Sequence, residues 1–156
     1  MKMSEKEREF HRRIATHCFN GTWDLLDKKD RTNEENIQML YLAHASRFHW
    51  GLVGTPTNRA VGEWQISKVY AELGHTQLAL EFAKTCLTSC EENELAGIAH
   101  TADEAMARAY AVAKDYHNAR RYLNSARKRL DRLSLSERDR DVYMDQIRQT
   151  EALILE

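Results

Sequence analysis

The sequence predicts an all-α protein of about seven helices, and three observations support this prediction. The 156 residues include only 6 glycines and 1 proline, too few for a protein built from many tight β-turns. Alanine, leucine, glutamate, arginine and lysine dominate the composition, and these residues favour helix. Apolar residues recur every three or four positions, whereas no long segment alternates with the period of two that strands require.

Local signals mark where the helices should begin and end. Three capping boxes predict the starts of helices one, two and seven: Ser4 with Glu7, Thr32 with Glu35, and Ser134 with Glu137. Thr55 followed by Pro56 predicts the start of helix three, and Gly74 predicts its end. Helices four, five and six are predicted over residues 75–92, 94–113 and 116–133. We expect helix one, at 4–29, to break or kink at Asn20-Gly21.

Two segments of the chain repeat each other at an offset of 40 residues. The matched positions are Ile66 and Met106, Ser67 and Ala107, Tyr70 and Tyr110, Ala79 and Ala119, and Cys86 and Ala126. Lys114 stands where the first copy has Gly74. The small residues at the second and fourth of these positions are expected where the two helices of a hairpin approach closely.

This pattern resembles the tetratricopeptide family, with a period longer than that family's 34 residues. The resemblance implies antiparallel helical hairpins, stacked as a short right-handed solenoid whose first helices line a concave groove. We therefore expect a single helical domain over residues 1–156, with a divergent N-terminal hairpin at 1–54, two repeat hairpins at 55–133 and a capping helix at 134–156. The segments Ala43–Gly51 and Gly62–Ser67 also resemble a bacterial family of small proteins without assigned activity, which implies that the whole chain is that family's domain.

The resemblance to tetratricopeptide proteins places four candidate binding residues on the wall of the concave groove: Trp64, Lys68, Glu104 and Arg108. An aromatic face beside two cations suits a ligand that carries an anionic group. We therefore expect an interaction module in which this groove binds a peptide, a protein segment or a small ligand. Lys68 and Arg108 should then be exposed, so that replacing both by alanine changes stability little.

Helix two offers an alternative site of a different class. From Ile37 onward this helix is apolar nearly all round, which predicts burial on several sides. Arg47 then needs a partner, and Glu63 on helix three is the natural candidate. Together with His44 and His49, this pair forms either a pocket for small-molecule binding or catalysis, or a structural hydrogen-bonded network.

Other chemistries find little support in the sequence. The net charge is −1, and the basic residues of helix six are expected to pair with an acidic helix seven, so nucleic acid is not an expected partner. The 7 histidines lack the spacing of metal ligands. No cofactor motif and no activated nucleophile is recognisable, which favours a protein that is not an enzyme. No apolar stretch approaches the length of a membrane span.

Two further expectations concern the location and assembly of the protein. The three cysteines, Cys18, Cys86 and Cys90, are odd in number and lack a framework spacing, which predicts reduced thiols and a cytoplasmic location. A homodimer is also expected, because Phe19 and Trp23 on the interrupted helix one should leave one end of a short solenoid partly apolar.

Overall fold

A computed structural model describes residues 2–155, which form seven α-helices. The helices are α1 (Glu5–Leu26), α2 (Asn33–Val53), α3 (Pro56–Glu72), α4 (Thr76–Glu92), α5 (Ala99–Val112), α6 (Tyr116–Asp131) and α7 (Glu137–Leu155). These residues contain no strand, so the predicted all-α class and the predicted number of helices are confirmed. Met1 and Glu156, the first and last residues of the predicted domain, lie outside the described residues.

The N-terminal caps of α1, α2 and α3 form where the local signals predict them. Ser4, Thr32 and Thr55 each accept a hydrogen bond from the backbone N–H three residues later. The side chain at that later position accepts the backbone N–H of the cap in return, which completes the capping box. In α3 the returning residue is Asn58.

The predicted break in α1 is wrong, because the helix continues through Asn20-Gly21 to Leu26. The glycine serves packing rather than a turn. A Cβ atom at Gly21 would stand 3.2 Å from Cδ1 of Leu42 on α2, closer than an ordinary van der Waals contact. The absent side chain therefore lets α1 and α2 approach each other closely.

Two predicted helix starts also shift. Ser136, not Ser134, accepts the N–H of Asp139 at 3.1 Å, because Leu133 and Leu135 pack into the core before α7 begins. α5 begins at Ala99 rather than at residue 94. The preceding residues close the end of α4, where Glu94 has a φ of 53° and the N–H of Leu95 bonds to the carbonyl of Cys90 at 2.9 Å.

The 40-residue repeat recurs in the turns that end α3 and α5. Gly74 and Lys114 both adopt a left-handed backbone, with φ of 78° and 63°. Each turn is closed by an equivalent bond of 2.9 Å, from His75 N–H to the Tyr70 carbonyl and from Asp115 N–H to the Tyr110 carbonyl. Lys114 therefore takes up the conformation that glycine supplies in the first copy.

The repeat also recurs in the packing within each hairpin. Tyr70 stacks on Phe82 with ring centroids 5.6 Å apart, and Tyr110 stacks on Tyr122 at 5.7 Å. The four small residues predicted at the helix crossings are all buried: Ser67, Ala79, Ala107 and Ala119. The two hairpins, α3–α4 and α5–α6, thus share one internal design.

Helices adjacent in the chain pack against each other, and the first helices of successive hairpins also touch. α3 contacts α5, and α5 contacts α7, whereas α4 and α6 do not meet. As a result α5 is enclosed, with 12 of its 14 residues buried. The right-handed path of a solenoid stays a prediction.

The expectation that α2 is buried on several sides is wrong. Among the described helices, α1 and α3 pack along α2, and α4 reaches α2 through Phe82, whose ring meets that of His44. Met39, Ala43 and Ser46 face those neighbours and are buried. The opposite side of the helix carries large apolar side chains into solvent, because no third helix packs there.

Candidate functional site

The four residues predicted for the concave groove do come together. The indole Nε1 of Trp64 on α3 donates to Oε2 of Glu104 on α5 at 2.8 Å. Nε of Arg108 donates to the other carboxylate oxygen of Glu104 at 2.9 Å. Trp64 and Glu104 are 40 residues apart, so stacking of the two repeat hairpins brings equivalent positions into contact.

The expectation that Lys68 and Arg108 are exposed is wrong, because both are only 5% exposed. Nζ of Lys68 donates to the side-chain oxygen of Gln146 on α7 at 2.9 Å and lies 5.7 Å from the ring centroid of Trp23 on α1. Helices from the two ends of the chain therefore cover the predicted groove wall. The residues that were expected to receive a ligand already have partners within the protein.

Glu104 is the centre of this buried polar network. Besides Trp64 and Arg108, it accepts a hydrogen bond of 2.6 Å from Oγ1 of Thr150 on α7. Burial opposes its ionisation, but the charges of Arg108 and Lys68 and these hydrogen bonds outweigh burial, so its pKa lies below the usual value. The single ionised carboxylate of Glu104 thus interacts with the charges of both Arg108 and Lys68.

Lys68 is the poorly compensated member of the network. Burial, together with the charge of Arg108, lowers the pKa of its ammonium group to about 8. Its direct hydrogen-bond acceptors are the uncharged side chains of Gln146 and Gln149. The folded protein therefore disfavours the charged form of this lysine.

The alternative site on α2 does not form one pocket. Arg47 and Glu63 pair as predicted, with 2.6 Å between Nε and Oε1. His44 turns away from that pair, and its Nε2 hydrogen-bonds with the hydroxyl of Tyr70 at 2.9 Å while its ring meets Phe82 edge-on. Burial lowers the pKa of His44.

His49, the fourth predicted residue, contacts a histidine on α1 that sequence reasoning missed. A hydrogen bond of 2.7 Å joins Nδ1 of His49 to Nδ1 of His11. Burial and the neighbouring His11 lower the pKa of His49. The four predicted residues are therefore divided among three separate contacts, and no sequence signal links His11 to His49.

α5 carries further buried polar groups. Asp103 accepts hydrogen bonds from Oγ of Ser125 at 2.6 Å and from Nε of Arg129 at 2.7 Å. The ring of His100 lies against Tyr143 of α7, and its Nε2 is buried without a hydrogen-bond partner among the described residues. Burial lowers the pKa of His100 to about 4. Because these partners come from α6 and α7, they lay beyond inference from helix five alone.

The predicted pairing of basic α6 with acidic α7 is confirmed at Arg127, which lies 2.9 Å from Glu151. A second ion pair joins Asp131 on α6 to Arg140 on α7 at 3.4 Å, with the signs of the charges reversed. Pairing thus neutralises part of the positive charge of α6.

Exposed apolar residues form a continuous line on α2, which we call the α2 face: Ile37, Tyr41, Phe48 and Leu52. They are 51%, 69%, 63% and 43% exposed. Their spacing places them within about 60° of arc over roughly 22 Å of helix. These residues contributed to the expectation that α2 is buried on several sides, since an apolar pattern does not reveal which side of a helix has a neighbour.

Within residues 2–155, no group of three or more histidine, cysteine, aspartate or glutamate side chains is arranged to hold a metal ion. None of the described helices is both long enough and apolar enough to span a membrane. Comparison with family models, with curated proteins and with solved structures finds no match to this chain.

Proposed function

We propose that this protein is an interaction module that binds a protein partner through the α2 face. The observation that carries the proposal is the exposure of Tyr41 and Phe48, two large aromatic side chains on one line with Ile37 and Leu52. Large aromatic residues, phenylalanine and tyrosine included, are enriched at protein interfaces relative to the rest of the surface. A contiguous exposed apolar patch on a helical protein is typical of a contact surface for another protein.

The charge pattern of α2 supports this proposal. Between Ile37 and Leu52 only Arg47 is formally charged, although 30% of the chain is charged, and Arg47 pairs with Glu63. Exposed helix faces that serve only solubility carry charges of both signs. The partner that suits such a face is an amphipathic helix with its own apolar stripe.

The burial of Lys68 and Arg108 moves the proposed contact surface away from the predicted concave groove. A ligand in that groove would have to displace the hydrogen bonds that α7 makes to Lys68 and Glu104. The α2 face needs no such rearrangement before a partner binds. A tetratricopeptide-like array remains our proposal for the architecture, and the repeated turns and ring stacks support it.

We further propose that the module acts in the cytoplasm. All three cysteines are free thiols. Free thiols in a small domain are typical of a reducing compartment.

Affinity capture with matched surface variants tests the proposed function. We expect the wild-type chain to retain a partner that Phe48→Glu loses and that Val142→Glu, a control on the exposed side of α7, retains. Direct titration of that partner, once purified, should reproduce the difference. Recovery of the same proteins by wild type and by Phe48→Glu would contradict the proposal.

A further inference from the structure

We propose that the partner of the α2 face is a second copy of this chain, bound antiparallel about a two-fold axis. This inference rests on the proposed function and names the partner for the same surface. It is carried by the order of the residues on that surface, which reads nearly the same in both directions.

The α2 face is symmetric about the point between His44 and Ala45. The spacings between its four residues, from Ile37 to Leu52, are four, seven and four positions. Antiparallel pairing about that point sets Ile37 against the partner's Leu52, and Tyr41 against the partner's Phe48. Each contact then joins an aliphatic residue to an aliphatic one, or an aromatic residue to an aromatic one, and the two-fold axis makes each contact twice.

The centre of the face leaves room for two helices to approach. Ala45 has a small side chain, and the ring of His44 is held to one side by Tyr70 and Phe82. Nothing larger than the alanine methyl group and the edge of this imidazole therefore lies at the proposed axis. Aromatic residues placed on both sides of a small one can pack into the spaces of the facing helix.

The absence of free charge on the face also favours a second copy. In a two-fold interface a residue near the axis meets its own counterpart, so a charged side chain there would meet a like charge. The single charged residue between Ile37 and Leu52 is Arg47, and it pairs with Glu63 in the same chain. The face can therefore meet its copy without such repulsion.

The exposed area indicates a reversible dimer. The four side chains expose roughly 450 Å² on each copy, judged from their fractional exposure and the usual area of such residues. A standard stable interface buries about 800 Å² on each partner. We therefore expect monomer and dimer to exchange, with the dimer populated at micromolar concentrations and above.

Sedimentation equilibrium of wild type and variants tests the pairing. The mass should rise with concentration from 18.2 kDa toward twice that value. Tyr41→Lys and Phe48→Glu, each alone, should weaken association at least about 10-fold. Val142→Lys and Val142→Glu are the matched controls and should associate like wild type. Circular dichroism should show equal helix content in all five proteins.

Mixing the two variants tests the antiparallel order. In a mixed dimer, the lysine at position 41 faces the glutamate at position 48 of the other chain, while the second Tyr41–Phe48 contact is unchanged. The mixture should therefore recover association that neither variant has alone. Association that survives Tyr41→Lys, or a mixture that stays monomeric, would overturn the inference.

The outcome separates this inference from the proposed function. A chain that stays monomeric at several hundred micromolar, yet loses a captured partner through Phe48→Glu, would overturn the second-copy inference and leave the proposed function standing. Capture and self-association that are both insensitive to Phe48→Glu would overturn both.

Discussion

Lys114 occupies a backbone conformation that its side chain disfavours. Its φ of 63° matches the 78° of Gly74 in the first repeat, where no Cβ atom is present. Left-handed backbone costs a residue with a side chain about 1–2 kcal/mol, whereas glycine adopts it freely. The second repeat therefore keeps the turn of the first at an energetic cost.

Lys114→Gly should raise the free energy of unfolding by about 0.5–1 kcal/mol, because relief of this cost exceeds the added freedom of the unfolded chain. Urea denaturation measures the change. Lys114→Ala is the control: it removes the same exposed side chain but keeps the Cβ atom, so it should give no comparable gain. Equal gains from both variants would show that the side-chain charge, not the backbone, is responsible.

Lys68 is a second residue at which the folded state carries a cost. Its pKa falls from 10.5 to about 8 on burial, so the charged form is disfavoured by about 3 kcal/mol below pH 8. This cost declines as pH rises from 8 to 10.5, since the folded state releases the proton first, and it is absent above that range.

Lys68→Met should therefore stabilise the protein by about 2 kcal/mol at pH 7, after the loss of the hydrogen bond to Gln146 is included. Between pH 8 and 10.5 the difference from wild type should shrink, which urea titrations at several pH values would measure. Lys84→Met, at an exposed position of α4, is the matched control and should change little. A destabilised Lys68→Met variant would contradict this account of the site.

At the scale of elements, the cap predictions that succeeded are those whose determining contacts are local. The caps at Ser4, Thr32 and Thr55 depend on residues three positions away, so the sequence predicts them directly. The role of Gly21 depends on Leu42 of another helix, and a break was predicted where close packing occurs. The sequence of one helix alone does not distinguish a glycine that interrupts the helix from a glycine that lets a second helix pack closely.

In the predicted site, too, part of the arrangement follows from the sequence pattern and part depends on a helix outside that pattern. The contact of Trp64 with Glu104 follows from the 40-residue period, because stacked repeats align equivalent positions. Burial of that contact depends on α7, which supplies Thr150 and Gln146 and belongs to neither repeat. An element without a repeat pattern has no predictable placement, so a surface groove was expected where a buried network exists.

At the scale of the whole molecule, acid should destabilise the fold before most carboxylates titrate. Burial lowers the pKa values of His44 and His49, and lowers that of His100 to about 4. The unfolded chain, with histidine pKa values near 6.5, then binds protons first as pH falls. The free energy of unfolding should therefore fall progressively as the pH drops from about 6.5 toward 4.

We expect His100 alone to account for about 3 kcal/mol of this loss by pH 4. His100→Gln should flatten the dependence of unfolding free energy on pH between 6.5 and 4.5, whatever its stability at pH 7. Exposed His117 provides the control, and His117→Gln should leave the slope unchanged. An unchanged slope in His100→Gln would show that this imidazole is protonated in the folded protein.

The buried polar network and the exposed apolar surface of this protein lie on different helices. The polar side chains that α3, α5 and α7 bury around Glu104 are hydrogen-bonded to one another within the protein. The α2 face, in contrast, leaves its aromatic residues in solvent. For this reason we place the proposed binding surface on α2.

Amide chemical shifts measured as a function of protein concentration test that assignment most directly. Between about 10 μM and about 500 μM, we expect concentration-dependent shifts at residues 37–52 and at their neighbours on α1 and α4, with little change along α5 and α7. Tyr41→Lys should abolish these shifts. Shifts concentrated around Lys68, Glu104 and Arg108, or an α2 face that is insensitive to concentration, would contradict the account.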